Sequence, residues 1–502
     1  MKKLNALLLV CFAWIFASTV RAQTSGVNDA ELKGDYAFNF NGFSVGGVGI
    51  ATGKSVVIAA VGRFTADGAG NLTNGELDAN GAGPGSVYTQ QPFTGTYTIG
   101  ADSRGMMTIN VSGGAYQLAF AMAANGNAQF IEFDPPGGSI GSGSMERADT
   151  TAFSTAKITG DYAFGLAGFD VSSNRMAFAG RFTSDGAGNL RNTVGDINAR
   201  GTIVGSAIFT SSTYAVSDAS TGRGILTMGY SFGGTTYTSN FVFYVVSSGK
   251  LFAMETDPLM GSSPLLSGVV LQQQRPTGGF SNASLQGNVI IYLTGLDYCS
   301  NGFNASANVI VGLLAADGNG GLTLTFDENC GGIASSVSLP GTYSTTTDGR
   351  TSIALGNGAV AYLSSSNNAF ILGNDGSVLF GFGEQQAAGP LANSSVLGSY
   401  AGLATNPATS GVTIFSGEFT GDGASPTGQL TGTEDIGDAI EPISGVPFSS
   451  TYSISSSPTS GRGAVTVISP SGGSGVAYAI SSSRFVILPL NDPNPSVWLF
   501  EH

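Results

Sequence analysis

The sequence predicts an all-β protein built from four tandem, antiparallel, barrel-like domains of about eight strands each. Three observations predict it. The chain repeats itself four times, its apolar residues alternate with polar ones, and glycine-bearing turns punctuate it about every 8–15 residues. A two-sheet sandwich is the alternative architecture. A propeller is disfavoured, because one blade needs only ~40–50 residues.

The first element is a leader. Lys2 and Lys3 precede an apolar stretch from Leu7 to Val20, and Val20-Arg21-Ala22 places small or aliphatic residues where a signal peptidase cuts, before Gln23. The apolar run is shorter than the ~20 residues a membrane helix requires, so residues 1–22 are expected to be a cleaved signal peptide. Cys11 sits within the apolar run and fits a signal-peptide residue better than a lipid-attachment site. Nothing later is apolar enough to span a bilayer as a helix. The expected location is secreted or cell-surface, with the periplasm as a further option.

The repeats follow. "LKGDYAFNFNGF" (32–43), "ITGDYAFGLAGF" (158–169), "LQGNVIIYLTGL" (285–296) and "VLGSYAGLATNP" (396–407) align on Gly34, Gly160, Gly287 and Gly398. The expected domains are 23–148, 149–274, 275–386 and 387–502. Each copy continues with an Asp-Gly turn: Asp67-Gly68, Asp185-Gly186, Asp317-Gly318 and Asp422-Gly423. A strand bearing Tyr97, Tyr214, Tyr343 or Tyr452 comes next, and these tyrosines are expected in the core. In the first copy, strands are expected at 34–43, 56–66, 71–79, 86–98, 105–112, 115–123, 128–134 and 139–147. Within them "DYAFNF" sets Tyr36, Phe38 and Phe40 on one face, and "AYQLAFAMA" does the same with Tyr116, Leu118, Phe120 and Met122. Such alternation predicts one buried and one wetted face. Eight strands in ~115 residues suit a small up-and-down barrel, whose closure removes exposed edges.

This meander resembles avidin-like and lipocalin-like barrels in layout. The "GxF[TA]xDGxGN" landmark resembles a repeat of uncharacterised exported bacterial proteins. Neither resemblance implies an activity, because no ligand-binding motif of the barrel families matches position by position.

Composition excludes several chemistries. The only histidine is His502, the last residue, which removes His-based triads and histidine metal centres. No catalytic residue, metal or cofactor is expected. Loss of residues 1–22 takes Lys2, Lys3 and Arg21 from 19 basic residues and none from 33 acidic ones, leaving −17. That field repels nucleic acid. Cys299 and Cys330 are expected to form a disulfide after export, adding ~3 kcal/mol. The pairs Glu132/Asp134 and Glu255/Asp257 stand two apart on strands. Paired acids could hydrolyse glycosides, but strand-end acids leading into turns are the simpler reading.

One charged pattern recurs. Each copy has an acid 11–13 residues after its turn aspartate, namely Asp78, Asp196, Glu328, and Glu434 or Asp435. Each also has a later arginine: Arg104, Arg223, Arg350 and Arg462. A repeated ion pair, or an arginine capping turn carbonyls, is the structural expectation; an arginine presented to an anionic ligand is the functional one. The Asp-Gly turn is read as a hairpin rather than a calcium loop, since it offers one carboxylate. The function expected is a non-enzymatic structural or cell-surface role. The alternative is a small-molecule carrier using barrel lumens, and a carboxylate glycosidase ranks last. Possible partners are a surface protein, a glycan or a small apolar ligand.

Overall fold

The computed structural model describes residues 26–45, 55–81, 86–134, 139–232, 235–259, 263–299, 305–405, 408–438, 441–455 and 460–502. The expected signal peptide, 1–22, lies outside them. Four closed eight-stranded antiparallel barrels follow one another along the chain. Barrel 1 comprises Lys33–Val45, Ser55–Asp67, Asn71–Gly81, Val87–Ile99, Arg104–Val111, Gly114–Met122, Ala128–Glu132 and Ser139–Arg147. Each of these strands lies within two residues of the expected bounds. Each strand pairs with the next, and the first pairs with the eighth.

One end of every barrel is plugged. In barrel 1 a short 3-10 turn, Asp29–Glu31, lies across the base, and the Tyr97 hydroxyl donates to the carbonyls of Asp29 (3.1 Å) and Leu32 (2.7 Å). Tyr214, Tyr343 and Tyr452 latch the bases of barrels 2, 3 and 4 in the same way, onto Ile158, Leu285 and Val396. All four tyrosines are buried. Above the latch, aromatic rings fill the interior: Tyr36, Phe38, Phe64, Phe93, Phe120 and Phe130 in barrel 1. Burying such a side chain contributes about 1.5–3 kcal/mol.

The expected alternation of a buried and a wetted face fails where barrels meet. Ala37 and Val61 point out of barrel 1, yet both are buried against Val242, Tyr244 and Met254 of barrel 2. Ala177 and Ala179 of barrel 2 meet Val360 and Tyr362 of barrel 3. Val309 and Val311 of barrel 3 meet Val476 and Tyr478 of barrel 4. Barrel 4 then returns to barrel 1, placing Ala401 beside Ala121 and Ala123. Each barrel offers its opening strands to the sixth and seventh strands of the next, and the fourth seam closes a ring. Among the described residues, no helix is long and apolar enough to cross a membrane.

Candidate functional site

The Asp-Gly turns are hairpins whose aspartates bind their own backbone. Asp67 Oδ1 accepts from the amides of Ala69 (2.7 Å) and Asn71 (3.0 Å), and Asn71 Nδ2 donates to Oδ2 (2.6 Å). Asp185, Asp317 and Asp422 each accept two local amides in the same manner. Gly68 (φ +78°) and Gly70 (φ +95°) supply left-handed backbone that side chains resist. The hydrogen bonds from Asn71 hold the Asp67 carboxyl below its usual range. In all four turns Oδ1 is committed to two local amides, so the aspartate serves its own hairpin. Cys299 and Cys330 are joined by a disulfide, which ties the segment after the first strand of barrel 3 to the end of its third.

The recurrent arginines find their acids in neighbouring barrels. Arg223 of barrel 2 grips Asp78 of barrel 1 with Nε–Oδ2 and Nη2–Oδ1 bonds, both 2.8 Å. Arg350 grips Asp196 (both 2.7 Å), and Arg462 grips Asp327 (both 2.7 Å). Arg104 reaches Asp435 through Nη1 alone, at 2.9 Å, and shares its Nε with Asp102 (2.8 Å). The four pairs therefore run 2 to 1, 3 to 2, 4 to 3 and 1 to 4, one across each seam. In the three bidentate seams the aspartate also accepts a tyrosine hydroxyl, from Tyr244 (2.8 Å), Tyr362 and Tyr478 (2.6 Å). Burial, then the adjacent carboxylates, raises the Tyr244 phenol. Burial opposes ionisation of Asp327, but hydrogen bonds from Arg462 and Tyr478 hold its carboxyl below the usual range.

The expected repeated ion pair joins neighbouring copies, and one of its residues needs correction. The acid of barrel 3 is Asp327, not Glu328, which bonds Ser335 Oγ (3.1 Å). A missing bulge explains the offset. In barrels 1 and 2 the third strand carries an extra residue just past Arg63 and Arg181, opposite Phe64 and Phe182, with Asn74 and Asn192 at φ +50°. Arg63 Nη1 and Arg181 Nη1 donate to the carbonyls of those asparagines (3.2 and 2.7 Å). Leu313 takes the arginine's place in barrel 3, and its register with the third strand is unbroken. One residue fewer moves the outward-facing acid from 328 to 327, because a strand changes face at every residue.

Sequence reasoning also missed a second residue. Asn80 Nδ2 donates to the carbonyls of Glu255 and Asp257 across the seam, both at 2.8 Å. Asn198 meets Gly373 and Asp375 (2.7 and 2.8 Å), and Asn329 meets Pro489 and Asp492 (2.7 and 2.9 Å). The signal was present as Asp-x-Asn at 78–80, 196–198 and 327–329, and it would have selected Asp327. Barrel 4 breaks it with Gly437, where a Cβ would stand 2.9 Å from the Glu132 carbonyl oxygen.

The open end of barrel 1 holds a cavity of about 360 Å3, lined by Phe38, Phe40, Ile58, Leu77, Leu118 and Phe130 with Glu132 among them. Glu132 is 6% exposed and its Oε2 has no partner. Burial, reinforced by Asp134, raises the Glu132 carboxyl far above its usual range. Asp134 is turned to the strand end, where it accepts the Gln117 amide (2.6 Å). Glu255 of barrel 2 is likewise buried with an unpartnered Oε2, while Asp257 accepts the Asn240 amide (2.9 Å). The two acids of each pair thus do different things. One caps a strand end and the other lies in an apolar interior, where burial favours its protonated form. Among the described residues, no group of three His, Cys, Asp or Glu is placed to hold a metal ion. No protein-family model matches the chain, and no curated protein matches it.

Proposed function

We propose that the chain is an exported, non-enzymatic binding protein, a ring of four barrels in which barrel 1 holds a small and mainly apolar ligand. The cavity in the open end of barrel 1 carries this reading. Its volume, about 360 Å3, lies in the range of small-molecule sites. Its wall of phenylalanine, leucine and isoleucine would take an apolar body. A protonated Glu132 both donates and accepts, which suits a hydroxyl, amide or carbonyl on the ligand. Export is supported by the leader pattern of residues 1–22 and by a disulfide that an oxidising compartment permits.

The test is native mass spectrometry of the mature chain against the same sample denatured. A bound species lost on denaturation is expected, reduced by Leu118→Trp, which fills the cavity, and by Glu132→Gln. Retention of the species by both variants would place it elsewhere and overturn the reading. A second reading, a scaffold for cell-surface interaction, is favoured by the ring, whose four seams fix the barrels relative to one another. An empty wild-type protein that binds no apolar probe would select it.

A further inference from the structure

The first and eighth strands of all four barrels face the ring axis and enclose a second cavity of about 470 Å3. Three basic side chains line it: Lys250, Arg484 and Arg175. Two of them are neutralised by acids, each with one acid from the neighbouring barrel. Lys250 Nζ meets Glu146 (2.6 Å), and Arg484 meets Glu384 and Glu501 (each 3.0 Å). Arg175 is different. It is 7% exposed, its Nε is buried without a partner, and among the described residues no ion pair reaches it. Its polar contact is a long one, Nη2 to Thr294 Oγ1 at 3.4 Å, and its guanidinium lies 5.1 Å from the centre of the Phe169 ring.

The neighbouring acid does not compensate it. Asp170 is engaged by Arg200 and by Asn174 (2.9 Å). The acids near Lys250 are also remote. Arg175 stands opposite Phe169, whereas Lys250 pairs with Leu271, itself opposite Ala163. Six strand residues separate those levels, about 20 Å at 3.3 Å per residue. Burial lowers the Arg175 pKa to about 10, which still leaves it charged at neutral pH.

The fold does not need a cation there. Barrel 1 places Val57 opposite Phe43, and barrel 3 places Ala307 opposite Leu296, at the position where barrel 2 places Arg175 opposite Phe169. A buried guanidinium without a counter-charge is costly, and removing it should relieve the site. We propose that the axial cavity binds a small organic monocarboxylate, whose carboxylate is received at the Nη end of the Arg175 guanidinium. The planar fork matches a carboxylate's two oxygens. A single uncompensated cation in so acidic a protein balances one negative charge, which favours a monocarboxylate over phosphate. Leu265, Phe169 and Phe380 in the cavity wall receive an apolar tail.

Calorimetric titration of the full mature chain with benzoate, butyrate, chloride and inorganic phosphate tests this. The carboxylates are expected to bind, and Arg175→Val, which installs the residue of barrel 1, is expected to weaken them about tenfold or more. The ligand-free melting temperature of that variant should stay level or rise. Glu132→Gln should leave benzoate binding intact, which separates this site from the lumen of barrel 1. No carboxylate binding, equal binding by Arg175→Val, or phosphate outcompeting benzoate would each overturn the proposal. Should Arg175→Val fail to fold, crystals of the wild type soaked in bromide decide. Anomalous density at the Arg175 guanidinium, displaced by benzoate, supports the site; its absence, or bromide that benzoate does not displace, refutes it.

Discussion

Three seams of the ring are built alike and the fourth is not. Between barrels 1 and 2, 2 and 3, and 3 and 4, a bidentate arginine and a tyrosine converge on one aspartate, and an asparagine two residues on reads two carbonyls of the next barrel. Between barrels 4 and 1 the arginine bond is single, Gly437 replaces the asparagine, and Ala121 stands opposite Arg104 where Tyr244 stands opposite Arg223. Consecutive barrels share one chain, and they also carry the fuller polar cluster around the seam aspartate. The seam that joins the chain's ends uses other bonds: Ser416 Oγ donates to the Gln129 carbonyl (2.9 Å), Asn125 Nδ2 donates to Glu501 (2.8 Å), and Ile131 packs in one apolar cluster with Leu403 and Ile414. Glu418 lies near it, partly buried, at the place taken by Arg63 and Arg181 in barrels 1 and 2, with an unpartnered Oε1. The difference teaches that the seam with no chain link across it is closed by a different set of bonds.

The strongest way to break this contrast is Arg223→Met. Asp78 is fully buried, and stranding it should cost about 3–5 kcal/mol, read as a lower urea midpoint of the full chain. Arg104→Met at the fourth seam should cost less, about 1–3 kcal/mol. It removes one bond across the seam and the exposed one to Asp102, and Asp435 keeps Ser444 Oγ (2.6 Å) and the Gly445 amide (2.9 Å). Equal losses from the two variants would remove the distinction between seams. Tyr244→Phe deletes only the hydroxyl, which contacts Asp78 (2.8 Å) and Glu76 (3.1 Å), and should cost about 1 kcal/mol in the same measurement.

The subtlest effect is a slope. Burial, with repulsion from Asp102 and Glu31, raises Glu418 from 4.5 to about 8. A carboxyl that holds its proton more tightly folded than unfolded contributes its full stability below the unfolded pKa, and loses it as pH climbs to the folded one. Thermal midpoints should therefore fall between about pH 4.5 and pH 8, and Glu418→Gln should flatten the fall relative to wild type. An unchanged slope would show that Glu418 does not ionise within that window.

The barrels were legible in the sequence because a meander is local. Alternation, turns and the Tyr97 series all act within one copy, and each strand pairs with its neighbour in sequence. The seams were only half legible. Arg223 and Asp78 stood out as scarce, recurring charges, but nothing in a repeat says that its partner lies in another repeat. The clearest hint was the failure of alternation: "FVFYVV" and "NVIIYL" are apolar on both faces, as strands buried on both sides must be. Arg175 was silent in sequence, because its meaning depends on Val57 and Ala307 filling the same place elsewhere. The lumen role of Glu132 was hidden for a similar reason, since spacing shows which way an acid points but not whether water reaches it.

The polarity of the seams has a further consequence. Every barrel presents one surface forward and a different one backward, so the contacts are heterologous, like links that close only when their number matches their turn angle. Four links close here. A chain lacking barrel 4 would carry two complementary, unsatisfied ends, Asp327-x-Asn329 at one and Arg104 at the other. Those ends would find each other on separate molecules and string the protein into chains, so the count of repeats is itself what keeps this protein from polymerising.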